Sequence, residues 1–321
     1  MTTLRIGTRG SPLALWQAHT VAALLENAGT STDIIRIKTA GDRLQEAPLS
    51  EIGGKRLFVR EIDDALLREE IDVAVHSAKD MSAVLPDGLA IAAVLPREDP
   101  RDALVLPGSA AARDFEAVLT HLGQAPTIGT SSVRRSAQLA ALLPRATFTP
   151  VRGNVDTRLR KLDSGGFDAI VLACAGMRRL GFESRISAAV PLAHCIPAPG
   201  QGIVAVEIRV SDKSTRIAVE RIDDEPSSIA LTAERTVVAA LGGGCQLPLG
   251  ALATIDDDDG FEMHGIVTSL DGRRVVRRQI AGAARDAASL GRRLAEELSR
   301  GGATAILDEV RQAQGPVEGS Y

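Results

Sequence analysis

Two stretches of this chain repeat one arrangement, and the repeat narrows the fold more than any other feature. Gly7-Thr8-Arg9-Gly10-Ser11 follows a short apolar run, Leu4-Arg5-Ile6, and precedes Pro12 with apolar residues at three-four spacing: Leu13, Trp16, Val21, Leu24, Leu25, Ala28. Gly129-Thr130-Ser131-Ser132 follows Thr127-Ile128 and precedes a helical pattern over 133–143. Each reads as strand, turn and helix, with Ser11 and Pro12 as N-cap and first helical residue. The chain therefore holds two α/β units. In open α/β sheets ligands bind at the carboxyl ends of the strands, where free N–H groups of helix N-termini meet anions, which makes Arg9 and Ser11 candidates.

The segments between and after these units give the domain plan. Residues 33–38 read as a second strand. Residues 39–55 lack periodicity, contain Gly41, Pro48, Gly53 and Gly54, and end at Lys55, a mobile arm with a cation at its root. A helix to about residue 69 and a buried strand over 71–75 follow, and His76-Ser77-Ala78-Lys79-Asp80-Met81 stands at that strand's carboxyl end. Pro96-Arg97-Glu98-Asp99-Pro100-Arg101-Asp102 and Ile196-Pro197-Ala198-Pro199-Gly200-Gln201-Gly202 read as two crossings between domains, with 203–210 a strand returning to the first. Two α/β units joined by two crossings describe a hinged pair with a ligand cleft between. The remainder, with helices near 214–222 and 227–241, strands over 249–255, 261–268 and 274–280, and the pattern Leu290, Leu294, Leu298, reads as a small α+β domain. The expected division is 1–96 with 197–214 as domain 1, 101–194 as domain 2 and 218–321 as domain 3.

Charge distribution narrows the ligand. The formal net charge of −4 gives no reason to expect nucleic acid. Between residues 121 and 162, however, Arg134, Arg135, Arg145, Arg152, Arg158, Arg160 and Lys161 stand against one acid, Asp156. An anionic ligand is implied. Arg134 and Arg135 lie in the first turn of a helix, unfavourable with its dipole, and an anion held there would explain them. No run of 18 apolar residues exists, so no membrane partner is expected, and the chain reads as cytoplasmic. Asp256–Asp259 before Gly260 reads as a solvated hairpin loop without EF-hand spacing, and no metal is expected.

Cysteine usage singles out one loop. Cys174, Cys195 and Cys245 form an odd set without CxxC spacing, against a disulfide framework or a zinc site. Cys245 follows Gly242-Gly243-Gly244 at a helix end, where glycines leave an open turn. The alternatives are a reactive thiol and a buried one beyond a helix C-cap.

With these turns collected, the chain resembles the porphobilinogen deaminase (hydroxymethylbilane synthase) family over nearly its full length. The matching motifs are GTRGSPLAL, GGKRLFVRE, VAVHSAKD, REDPRDA, GTSSVRR, VRGNVDTRL, LDSGGFDAIVLA, PAPGQG, TAER and GGGCQLPLG. The resemblance implies an α/β fold with two hinged domains like type II periplasmic binding proteins plus the small C-terminal α+β domain. It implies a dipyrromethane cofactor on Cys245 through a thioether. It implies a monomer that condenses four porphobilinogens head to tail with loss of ammonia, the elongating oligopyrrole being released by hydrolysis. Asp80 matches the catalytic carboxylate. Arg9, Ser11, Lys55, Lys79, Thr130, Ser132, Arg134, Arg135, Arg152, Arg158, Arg179 and Gln201 match positions that bind substrate or cofactor, and Phe58 one that stacks on a pyrrole. The residues fit that chemistry, because each pyrrole brings an acetate and a propionate, and arginine forks bind carboxylates bidentately. Arg56 stands where the family often has glycine, and Met81-Ser82 where Val-Pro is common. These departures bear on the lid and on the Asp80 turn, and Cys174 and Cys195 match no functional position.

Two rival readings remain at this level. A hinged α/β pair can be a binding or sensing module without chemistry, and Cys245 can be a nucleophile acylated and released each turnover. The mass of the intact protein separates all three.

Overall fold

The computed structural model describes residues 3–39, 59–108, 114–243, 247–256 and 258–314. Three sheets organise the chain. The first has the order β2 (Thr32–Arg36), β1 (Leu4–Thr8), β3 (Val73–Ser77), β10 (Val204–Arg209), β4 (Leu89–Val94). The second has the order β7 (Thr147–Thr149), β6 (Thr127–Gly129), β8 (Ala169–Ala173), β5 (Asp102–Val105), β9 (Ala188–Ala189). Their topologies correspond strand for strand. Three parallel strands lie at one side of each sheet, and an antiparallel strand, β10 or β5, enters beside the third.

Those antiparallel strands show how the crossings work. The chain leaves β4 in the first sheet and enters β5 in the second, then leaves β9 and returns as β10. Each crossing therefore ends in the strand that completes the opposite sheet. Parallel strands need helical crossovers that cover both sheet faces, which accounts for the fully apolar β8 and the almost wholly buried β3. On the first sheet α1 (Pro12–Asn27) buries Ala18, Val21 and Leu25, and α2 (Arg60–Leu67) buries Ile62 and Leu66. On the second, α3 (Phe115–Leu122), α4 (Val133–Leu142), α5 (Val155–Lys161) and α6 (Cys174–Arg179) alternate with the strands.

The third part of the chain is the small α+β domain expected. The helix expected near 214–222, α7 (Lys213–Val219), packs instead on the first sheet, where Val219 joins the core of Ile6, Val73 and Val206, and the domain itself starts with α8 (Glu225–Ala240). The antiparallel sheet β11 (Leu249–Ile255), β12 (Gly260–Thr268), β13 (Val275–Ala283) follows, then α9 (Ala287–Arg300) and α10 (Ala303–Gln314). The Leu290, Leu294 and Leu298 stripe of α9 packs into a core with Met263, Val267 and Ile280. Asp256 accepts hydrogen bonds from Gly260 N at 2.7 Å and Asp258 N at 3.0 Å, so this acid serves the β11–β12 turn.

A cleft between two sheets, lined by cations

The polar turns after β1, β3 and β6 that the sequence singled out all stand at the carboxyl ends of parallel strands. After β1, Ser11 caps α1, accepting from Ala14 N at 3.3 Å, and Arg9 and Ser11 line a cleft with Gln17, His76, Ser77 and Asp80. Asp80 closes a short 3-10 turn directly after β3 and is exposed. After β6, Thr130 is buried and accepts from Ser132 N at 3.2 Å, while Ser132 caps α4, accepting from Arg135 N at 3.4 Å. The two repeated turns thus cap their helices with equivalent serines. Lys55, Phe58 and Cys245 lie outside the described residues.

Arg134 and Arg135 have a first partner that the sequence did not show. Both are buried and converge on Asp102, the first residue of β5 and wholly unexposed. Arg134 donates from Nη1 to Oδ2 at 2.7 Å and from Nη2 to Oδ1 at 3.2 Å; Arg135 donates from Nε to Oδ1 at 2.9 Å. Burial alone would push the Asp102 carboxyl up. The two guanidiniums more than reverse this and hold it far below the usual carboxylate range, with Gln201 Nε2 donating at 2.9 Å. The anion that reconciles two arginines with the first turn of α4 is thus a side chain of the protein itself. Cys195 Sγ lies 3.4 Å from Asp102 Oδ2, and its thiol is pushed up to about 12, chiefly by burial. Cys174 is likewise buried and pushed up to about 12, chiefly by burial, and both sulfurs are inert by this criterion.

Beyond Asp102 the cations outnumber the acids. Lys79 is half-buried and donates to Gln201 Oε1 at 3.5 Å. Burial, helped by Arg135 and Arg134 and opposed by Asp80 and Asp102, pulls its amine down to about 8. Arg158 donates from Nε to Gly153 O at 2.8 Å. Burial, with Arg135 and Arg152, pulls it down to about 10 against the attraction of Asp80. Arg152, half-buried in the turn after β7, offers its carbonyl to Lys161 Nζ at 3.2 Å. Arg179, at the end of α6, donates to Gly202 O at 2.7 Å, and its guanidinium lies 5.3 Å from the centre of the Trp16 ring. Mutual repulsion among buried cations is the mark of a place prepared for negative charge. One carboxylate from the first sheet, Asp80, faces arginines from the second across the cleft.

The third domain grips both crossings at one buried ion pair that sequence reasoning also missed. Arg97, in the first crossing, donates to Glu234 of α8 at 2.7 and 2.8 Å and to Gln201 O at 3.0 Å. Glu234 also accepts from Gly200 N in the second crossing at 2.6 Å and from Ala253 N of β11 at 2.8 Å. The second crossing needs its glycines. Gly202 has a φ of 89°, and a Cβ there would overlap the Glu98 carbonyl oxygen. The departure at Met81-Ser82 is absorbed by the same helix: Met81 is buried with Leu231, and Arg235 donates to Ala83 O at 2.9 Å.

Asp63, His76 and Glu207 form, among the described residues, a buried group that could hold a metal, with ligand atoms within 4.8 Å of one another. His76 Nε2 lies 3.2 Å from Glu207 Oε2, so the group links α2, β3 and β10. No described helix is long and apolar enough to cross a membrane.

These features define a two-domain α/β cleft protein, extended by a third domain, whose candidate site sets one carboxylate among a surplus of cations. Comparison with known proteins is specific. Residues 4–217 match the family description "Porphobilinogen deaminase, dipyromethane cofactor binding domain", and residues 228–300 match "Porphobilinogen deaminase, C-terminal domain". The porphobilinogen deaminase of Pelobacter propionicus is 43% identical over 313 residues, covering 97% of this chain and 98% of that protein. That of Moorella thermoacetica is 43% identical over 321 residues, covering 99% and 100%. The chain belongs to the porphobilinogen deaminase family, transferases of tetrapyrrole biosynthesis with a dipyrromethane cofactor. Among solved structures, the VFT2 domain of Bordetella pertussis BvgS is 14% identical, over 69% of this chain and 85% of that one, with a TM-score of 0.40, too slight a likeness to support further argument.

Proposed function

We propose that the cleft performs porphobilinogen condensation with Asp80 as its catalytic carboxylate and with Arg9, Ser11, Lys79, Thr130, Ser132, Arg152, Arg158, Arg179 and Gln201 around the substrate and the growing chain. The observation that carries this reading is electrostatic. Asp80 from the first sheet stands near Lys79, Arg135 and Arg158, where burial, reinforced by repulsion from neighbouring arginines, lowers Lys79 and Arg158. A ligand with two carboxylates per pyrrole relieves that repulsion, and it grows by two charges at each addition. The donor set therefore fits a dipyrromethane, which when bound supplies a covalent primer, and Cys245 is its proposed point of attachment.

Each side chain then has a definite task. Arginine forks hold acetate and propionate groups and fix the ring plane. Asp80 accepts hydrogen bonds from pyrrole N–H groups and stabilises the positive charge that develops on porphobilinogen as its ammonia departs. The same carboxylate is suited to take the proton released when the new carbon–carbon bond forms. Arg134 and Arg135 are proposed to serve twice, since Asp102 engages one edge of each guanidinium and leaves a positive field over the cleft. The domains are proposed to run over 1–96 with 197–222, 101–194 and 225–321, with Lys55 and Phe58 in the lid, and the working unit is a cytoplasmic monomer.

The test is direct. Purified protein should exceed its sequence mass by two pyrrole units and give the Ehrlich colour after denaturation, whereas Cys245→Ala should fold and give neither. A normal Ehrlich colour from the denatured alanine variant would sink the attachment site, and an unmodified wild-type mass would sink the whole reading.

A further inference from the structure

Trp16 is the only tryptophan of the chain and stays 36% exposed. It lies on α1 about one and a half turns from the Ser11 cap, and Leu13 and Gln17 of the same helix line the cleft. Against it, from the other sheet, packs α6. A Cβ on Gly176 would lie 3.8 Å from Leu13, and the Arg179 guanidinium lies 5.3 Å from the Trp16 ring centre. Residues 13 and 16 share one helix face, and so do 176 and 179, so two facing helices meet at both points. At the first point the helices come within van der Waals reach, and at the second an aromatic face receives a cation.

The neighbouring arginine shows what is unusual about Arg179. Arg178 is neutralised by Glu98 at 3.0 Å, Asp99 at 3.4 Å and Glu183 at 3.2 Å. Arg179, among the described residues, spends one donor on Gly202 O at 2.7 Å and makes no ion pair. A guanidinium held over an indole face keeps its edge N–H groups available for an anion. We infer that Trp16 is a positioning residue: it holds Arg179 in the orientation that receives a carboxylate of incoming porphobilinogen. The inference rests on the reading of Arg179 as a substrate arginine. Glu98 attracts Arg179 but makes its ion pair with Arg178, so the ring and one carbonyl orient the Arg179 cation without a direct ion pair.

Four variants decide it: Trp16→Phe, Trp16→Leu, Arg179→Leu and the double variant Trp16→Leu/Arg179→Leu. Trp16→Leu should raise KM for porphobilinogen about 3- to 10-fold, the usual worth of a partly exposed cation–π contact, with kcat within about twofold and cofactor content unchanged. Trp16→Phe should recover part of the loss, and the double variant should be no worse than Arg179→Leu alone. In the wild type, tryptophan emission should change on adding porphobilinogen, and in Arg179→Leu it should not. A wild-type KM in Trp16→Leu, or effects that add in the double variant, overturns the inference while leaving Arg179 in place. A loss confined to kcat and thermal midpoint overturns it in favour of a simple fastening between domains. Wild-type kinetics in Arg179→Leu would instead remove the underlying reading of Arg179.

Discussion

Asp102→Asn tests the charge plan of the cleft at its centre. The carboxylate is wholly unexposed and takes hydrogen bonds from both guanidiniums and from Gln201. At an effective dielectric of about 20, unit charges about 4 Å apart attract by about 4 kcal/mol, and two such attractions meet on this group. Asparagine has nearly the same volume and keeps one acceptor oxygen, so packing hardly changes. It removes the charge and leaves Arg134 and Arg135 buried side by side. Breaking a buried pair from one side costs about 3–5 kcal/mol, and that is the expected loss. Urea unfolding followed by circular dichroism measures it, and the Ehrlich colour shows whether the cofactor is still assembled. The pH dependence carries a sign. The folded carboxyl lies below its unfolded value of about 3.9, so its contribution is complete above that value and is lost as pH falls through the folded one. The difference between wild type and variant should therefore be flat from about pH 5 to 8 and shrink only in stronger acid. A loss below about 1 kcal/mol with normal cofactor content would refute the reasoning, because the arginines would then be held without their counter-ion.

Three further outcomes are expected. Asp80→Asn should slow single-turnover ammonia release on the order of 10²- to 10³-fold, with Asp80→Glu between it and wild type; an Asn variant equal to wild type would leave Asp80 as the mere surface partner of Lys79. Because Lys79 is pulled down to about 8 in the free protein, its charged form weakens stability below that pH, and the penalty lifts as pH rises toward its unfolded value of about 10.4. Anionic substrate should restore the charge, so calorimetry near pH 8 in buffers of different ionisation heat should show proton uptake that Lys79→Arg abolishes; buffer-independent heats would contradict this. Arg97→Leu should cost about 3–5 kcal/mol, since it strands Glu234 without exposure, and Arg97→Leu/Glu234→Leu should recover part of the loss in thermal unfolding.

Much of the site was legible because it is local. Ser11 was readable as a cap, and the repeated turn of small hydroxyl residues before the second helix prepared for the cap that Ser132 provides. Lys79 and Asp80 were readable as candidates from their place after a buried strand, and the surplus of arginines pointed to an anion without any fold. Arg9 was a candidate from its place after β1, Arg152 and Arg158 belonged to the basic stretch, and the family motifs added Arg179. What the sequence alone determined is therefore the set of strand–turn–helix units, the polar turns at their ends and the sign of the ligand's charge, each of which depends on neighbours a few residues apart.

Only the tertiary structure decided which charges face one another. Asp102 looked like one of several acids in a charged crossing, yet it meets Arg134 across 32 positions and Gln201 across 99. Arg97 finds Glu234 across 137. Trp16 read as one more apolar residue of α1 until α6 came to rest against it from the other sheet. Pattern and propensity act over one or two turns of chain, whereas a buried carboxylate takes its partner from whatever chain folds against it. The choice of partner then follows from the cost of leaving any of those charges unpaired.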